Sequence, residues 1–127
     1  MVYTAFPGLQ SMFIESILTT QVKGIIIRGF GPGNLPIKEN SLIESIKRYT
    51  QKQIPVVIES QTAIGLTKLS IYETGIVAEN LGVISSEDMT FEATVTKFMW
   101  TLHQTQDLKR IRNLMRENIA GEIMPLK

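Results

Sequence analysis

The sequence predicts a three-layer α/β/α domain built on a parallel sheet of about four strands. Three observations carry that expectation. Short apolar runs alternate with segments of helical periodicity along the chain, the pattern of repeated βα units. The run Ile25-Ile26-Ile27 has no polar alternation, as a strand buried on both faces requires. The chain has 127 residues and is 43% hydrophobic, which suits one domain with a real core and falls short of two.

The elements follow in order. Residues 2–6 read as a short strand that Pro7-Gly8 stops. From 9 to 19, Leu9, Met12, Phe13 and Ile17 recur at helical spacing. Residues 23–28 form the second strand and 29–36 a loop. Asn40 or Ser41 caps the next helix, whose apolar face is Leu42, Ile43, Ile46 and Tyr49. Residues 55–59 are the third strand, with its proline at the tolerated first position. An irregular stretch over 60–70 leads to a helix from about 71 to 80, ended by Leu81-Gly82. Residues 83–85 make a short fourth strand. Thr90 is an N-cap with Glu92 in the first turn, and Phe91, Val95, Phe98, Met99 and Leu102 line one face. Asp107 caps the last helix, with Leu108, Ile111, Met115 and Ile119 inward. Four strand–helix units and one further helix imply right-handed crossovers and helices on both faces, a flavodoxin- or Rossmann-like arrangement over residues 1–127.

Composition removes several chemistries. There is no cysteine, hence no disulfide, no thiolate nucleophile and no zinc site of the usual kind. A single histidine excludes a multi-histidine metal cluster, and no metal or cofactor is expected. Thirteen basic residues against twelve acidic ones give a net charge of +1 and no reason to expect nucleic acid or a membrane surface. The basic stretch Lys109, Arg110, Arg112 and Arg116 is interrupted by acids and reads as a solvated face.

In such a sheet, ligands bind beyond the carboxyl ends of the strands. Three segments fall there: 28–36, 59–62 and 85–90. The first is not a dinucleotide fingerprint. Asn34 stands where the last glycine belongs, and Pro32 and Pro36 remove backbone donors. It is a tight turn that projects Asn34, which either bonds its own loop or holds an amino-acid headgroup. Arg28 needs a carboxylate or carbonyl partner, either Glu59 on the next strand or an anionic ligand. Gln61 and Thr62 are short-range polar groups in the same crevice, either capping the loop or facing a ligand. Asp88 reads as part of a helix start, and His103 as a helix-end residue rather than a base. No residue is assigned a catalytic role.

Arg28-Gly29-Phe30-Gly31-Pro32-Gly33-Asn34-Leu35-Pro36, Ser60-Gln61-Thr62, Tyr72-Glu73-Thr74-Gly75, Gly82-Val83-Ile84-Ser85 and Asp88-Met89-Thr90-Phe91-Glu92-Ala93 with Lys97 occur in an order that resembles the C-terminal domain of type I, cytoplasmic-class L-asparaginases. Phe6-Pro7-Gly8 and Asn118-Ile119-Ala120-Gly121-Glu122 fall where that domain begins and ends. The resemblance implies a domain of an enzyme that hydrolyses asparagine to aspartate and ammonia. It places the threonine nucleophile and its helpers in an N-terminal catalytic domain. Neither a Thr-Gly-Gly-Thr nor a Gly-Thr-Asp-Thr segment occurs here, so that domain is expected to be absent and the chain inactive alone.

The resemblance also implies a homo-oligomer, dimer or tetramer, in which Asn34 approaches the substrate of a neighbouring subunit. It implies a possible regulatory site for a small amino acid at Arg28 and Thr62, and a cytoplasmic location. Bacterial members often have cysteine where Thr62 stands. Phe91 replaces a common proline, which removes a pre-organised first helical turn. Two alternatives stay open: the matching domain of the archaeal glutamyl-tRNA(Gln) amidotransferase asparaginase-like subunit, from which Asn34 leans away, and a non-catalytic ligand-binding or interaction module.

Overall fold

Ile25 and Ile27 serve one face of the central strand and Ile26 the other, and all three are buried. That double burial is what the unbroken isoleucine run predicts. The computed structural model describes residues 1–16, 21–35, 42–62, 66–71 and 73–124. Strands β1 (Val2–Thr4), β2 (Ile25–Gly29), β3 (Val56–Ser60) and β4 (Ile84–Ser85) form one parallel sheet in the order β1-β2-β3-β4. Val2 lies opposite Ile26, Ile26 opposite Val57, and Val57 opposite Ile84.

The helices are α1 (Ser11–Glu15), α2 (Leu42–Gln51), α3 (Glu73–Asn80), α4 (Phe91–Gln104) and α5 (Leu108–Arg116), with a 3-10 turn at Leu69–Ile71. Because the strands follow one another in space, each right-handed crossover returns over the same face. Ile14, Leu42, Ile46, Tyr49 and Ala78 of α1 to α3 therefore pack together on Ile25, Ile27, Val56 and Ile58. Helices α4 and α5 follow the last strand and cover the opposite face, where Phe98, Ile111 and Met115 meet Ile26, Val57 and Ile84. Three layers result.

Polar ties set how the helices seat. Tyr49 donates its hydroxyl to the Ile14 carbonyl, and Arg48 pairs with Glu15 at 2.8 Å, which joins α2 to α1. Burial pushes the Tyr49 phenol above its usual range, helped by Tyr3 and Glu15. The Gly75 position brings α3 against the 3-10 turn, where a Cβ would lie 1.8 Å from the Leu69 carbonyl oxygen. Thr90 and Asp107 cap their helices as expected, accepting from the Ala93 and Arg110 N–H groups.

Three details differ from the sequence reading, and some expected features lie outside the described residues. The first helix spans Ser11–Glu15, and the Ile17 and Thr19 turn of the expected helix lies outside the described residues. The Asn40 or Ser41 cap, Pro36 and Tyr72 also lie outside them. On α4, Met99 is 66% exposed, while Thr94, Lys97 and Thr101 are buried beside Phe98. Ile119 is exposed because α5 ends at Arg116; Ile123 enters the core instead.

The buried Lys97 explains that last change. Its ammonium donates to the Glu117 carbonyl and pairs with Glu122 at 2.5 Å. Burial works to raise the Glu122 carboxyl, but hydrogen bonds from Lys97 and from the Ala120 and Ile119 N–H groups outweigh it and hold the group down at about 2. Asp88 accepts from the Met124 N–H at 3.0 and 3.2 Å. Residues 117–124 are thereby strapped across α4 and the β4–α4 loop.

Candidate functional site at the carboxyl edge of the sheet

The loop after β2 closes on itself. Phe30 N–H donates to the Asn34 carbonyl at 2.8 Å, and Asn34 N–H to the Phe30 carbonyl at 2.7 Å. Gly33 makes this reversal at φ 99°, a region that side chains disfavour. The turn is pinned from outside. Ser60 donates its hydroxyl to the Gly31 carbonyl at 2.5 Å, and Lys68 N–H donates to the Pro32 carbonyl at 3.0 Å. The Asn34 side-chain oxygen accepts from the Leu35 N–H at 3.0 Å. Of the two expectations for Asn34, the loop bond is thus present, and the half-buried residue stands on a fixed backbone.

Arg28 and Glu59 meet as neighbours in register on β2 and β3, with Nε donating to the Glu59 carboxylate at 2.9 Å. Glu59 is almost fully buried and Arg28 partly so. Burial raises the Glu59 carboxyl; the Arg28 charge and hydrogen bond oppose that rise, and Glu92 adds to it. The Arg28 guanidinium also lies 4.3 Å from the centre of the Phe91 ring. Phe91, at the first position of α4, therefore covers one face of this cation.

The loop after β3 is a set of clasps. Gln61 donates its side-chain amide to the Ala5 carbonyl at 2.7 Å and the Arg28 carbonyl at 2.9 Å, which closes the ends of β1 and β2. Thr62 pairs its hydroxyl with Ser60 at 2.5 Å. Behind it, the Thr67 hydroxyl accepts from the Ser60 N–H at 3.0 Å and pairs with Ser86 at 2.9 Å. Ser85 donates to the Thr67 carbonyl at 2.8 Å. These buried hydroxyls satisfy one another and join the loops after β3 and β4.

The structure thus brings Arg28, Gln61 and the glycine loop to one edge. Arg28 and Thr62 do not share a hydrogen bond; each has its own partner. Asp88 serves the strap, and His103 sits exposed at the far end of α4, beside Lys23 in an open cleft. Among the described residues no group of three histidine, aspartate or glutamate side chains is placed to hold a metal ion. No described helix is long and apolar enough to cross a membrane. Sequence reasoning missed the Phe91 contact with Arg28. Its only signal is a large ring at the first position of a helix.

Comparison with known proteins places this arrangement. Residues 1–115 match the model of the glutaminase/asparaginase C-terminal domain. A glutamyl-tRNA(Gln) amidotransferase polypeptide of Pyrococcus horikoshii is 42% identical over 94% of this chain and 27% of its own length. The thermostable L-asparaginase of Thermococcus kodakarensis superposes with a TM-score of 0.90 at 38% identity, over 98% of this chain and 38% of that one. L-asparaginase I of Vibrio cholerae gives 0.87 at 30% identity, over 98% and 37%. The chain spans between about a quarter and two-fifths of the length of these relatives.

Proposed function

The chain belongs to the glutaminase/asparaginase C-terminal domain family, and from that premise we propose that it serves a larger amidohydrolase that converts asparagine to aspartate and ammonia. The chemistry of the parent belongs to an N-terminal domain that carries the threonine nucleophile. This domain contributes Asn34, which meets the substrate headgroup bound by a neighbouring subunit of a homo-oligomer. One observation carries the reading: the closed turn from Phe30 to Asn34 fixes the backbone that carries the Asn34 amide at the carboxyl edge. An asparagine there suits the paired ammonium and carboxylate of an amino acid. The cytoplasmic location belongs to the same proposal, through the type I resemblance.

A regulatory amino acid at Arg28 and Thr62 is a further part of it. Such a ligand would take the guanidinium nitrogens that Arg28 does not spend on Glu59, beneath Phe91.

The amidotransferase relative supports a second reading, in which the same domain serves an enzyme that draws ammonia from glutamine for glutamyl-tRNA(Gln). Substrate preference of the full-length parent separates the two. In that parent, Asn34→Ala is expected to lower kcat/KM for the amide substrate by about tenfold or more. Unchanged kinetics would return Asn34 to a loop-forming role only. The chain alone is expected to release no ammonia from asparagine, and release above background would overturn the division of labour.

A further inference from the structure

The segment Gly31-Pro32-Gly33 carries the turn that sets Asn34, and it offers little by which it can be held. Gly31 and Gly33 have no side chains to pack, Pro32 has no backbone donor, and the Gly33 N–H is spent on the Phe30 carbonyl at 3.1 Å. Its carbonyls are the remaining handles, and two of them are taken from outside. Lys68 holds the Pro32 carbonyl through its backbone N–H, a bond that no side chain decides. Ser60 holds the Gly31 carbonyl through its hydroxyl. Among the described residues it is the one side chain that hydrogen-bonds to this segment.

The chemistry of the hydroxyl gives that bond a direction. A carbonyl only accepts, so the single Ser60 proton goes to Gly31. The Thr62 hydroxyl, 2.5 Å from Ser60, must then donate to it, and the Thr62 N–H donates to the same oxygen at 3.0 Å. One donor and two acceptor sites are thereby filled, and the series Thr62 to Ser60 to Gly31 runs in one sense. Ser60 itself is 4% exposed at the end of β3, with its N–H fixed to the Thr67 hydroxyl at 3.0 Å. Opposite it in register stands Gly29, from which the loop leaves the sheet. The same Thr67 lies beneath Gly33, where a Cβ would come within 2.9 Å of its methyl carbon.

We propose that Ser60 is a positioning residue for Asn34: through the Gly31 carbonyl, its buried hydroxyl sets where the Asn34 amide stands toward the substrate headgroup. The proposal rests on the reading of Asn34 as a substrate contact, names the group that aims it, and assigns Ser60 no contact with substrate. In the full-length parent, Ser60→Ala is expected to lower kcat/KM for the amide substrate by about fivefold, chiefly through KM, since a headgroup contact acts on ground and transition states alike. In an Asn34→Ala background the same change is expected to do little, within about twofold, because the group it aims is gone. A general loss of structure would instead add its cost in either background. In the 127-residue chain, Ser60→Ala is expected to keep the fold by circular dichroism. It should speed amide exchange at Phe30 and Asn34 by at least about tenfold and leave Ile27 in β2 unchanged. Should the alanine variant not fold, Ser60→Cys, of similar size but a weak donor, is read in the same way. Unchanged kinetics or exchange, a loss confined to kcat, or equal losses in both backgrounds overturn the proposal and leave Asn34 its role. If Asn34→Ala itself leaves the parent's kinetics unchanged, the substrate reading falls, and the positioning role falls with it.

Discussion

Helices α3 and α5 lie on opposite faces of one sheet and are tied together at its β4 edge. Arg112 donates to the Gly82 carbonyl at 2.9 Å, and Arg116 approaches Glu79 at 3.8 Å. Beyond that tie they are built on different rules. In α5, Ile111, Leu114 and Met115 are buried and the remaining positions are largely charged, so folding of this one domain accounts for the whole helix. In α3, Gly75 and Ala78 face inward while Ile76 and Val77 face out. Folding of the domain accounts for only its inner half. A helix can thus be well packed within its domain and still be unfinished as a surface.

Four substitutions break or sharpen that contrast. Gly75→Val is expected to have the largest effect, because the added carbon meets the Leu69 backbone rather than a side chain that can yield. A loss of about 3 kcal/mol or more, read from urea unfolding, is expected. A small effect would mean that α3 is loosely seated.

Next is Lys97→Met on the α4–α5 side, which strands the Glu122 carboxylate and frees the strap. About 2–3 kcal/mol at neutral pH is expected. The pH dependence gives a second readout. The Glu122 carboxyl sits at about 2 in the folded chain against an ordinary 4.5. Its contribution is therefore complete above about pH 4.5 and is lost as the pH falls toward 2. The wild type should lose stability across that window, and Lys97→Met should lose less.

Arg112→Met removes one charged donor from the Gly82 carbonyl and should cost about 1 kcal/mol, a test of how firmly the two helices are coupled at the edge. Lys109→Glu, on the outer face of α5, should change stability by less than about 0.5 kcal/mol. A larger effect there would break the contrast from the α5 side.

Much of this is legible in the residues. The triple isoleucine run announces a strand buried on both sides. Thr90 and Asp107 announce their helix starts, and Arg28 and Glu59 at the ends of adjacent strands announce their pairing. Those features depend on neighbours in sequence or register. What is not legible depends on distant partners. Thr94, Lys97 and Thr101 form a polar stripe that reads as a wet face; Glu117 and Glu122, at least twenty residues beyond Lys97, draw the lysine inward, and Thr101 donates to the Met115 sulfur. The same stripe turns Met99 out to solvent. The asparagine turn stands out as a candidate site, but the Phe91 ring over Arg28 joins residues from separate βα units, and no local pattern encodes it.

The clasp made by Gln61 has a consequence in time as well as in space. Its amide joins carbonyls 56 and 33 residues earlier in the chain. As the polypeptide emerges from the ribosome, β1 and β2 can pair before this clasp exists, but their carboxyl ends stay unfastened until β3 and the residue after it have been made. The edge that carries Asn34 is therefore fastened only once residue 61 has been made.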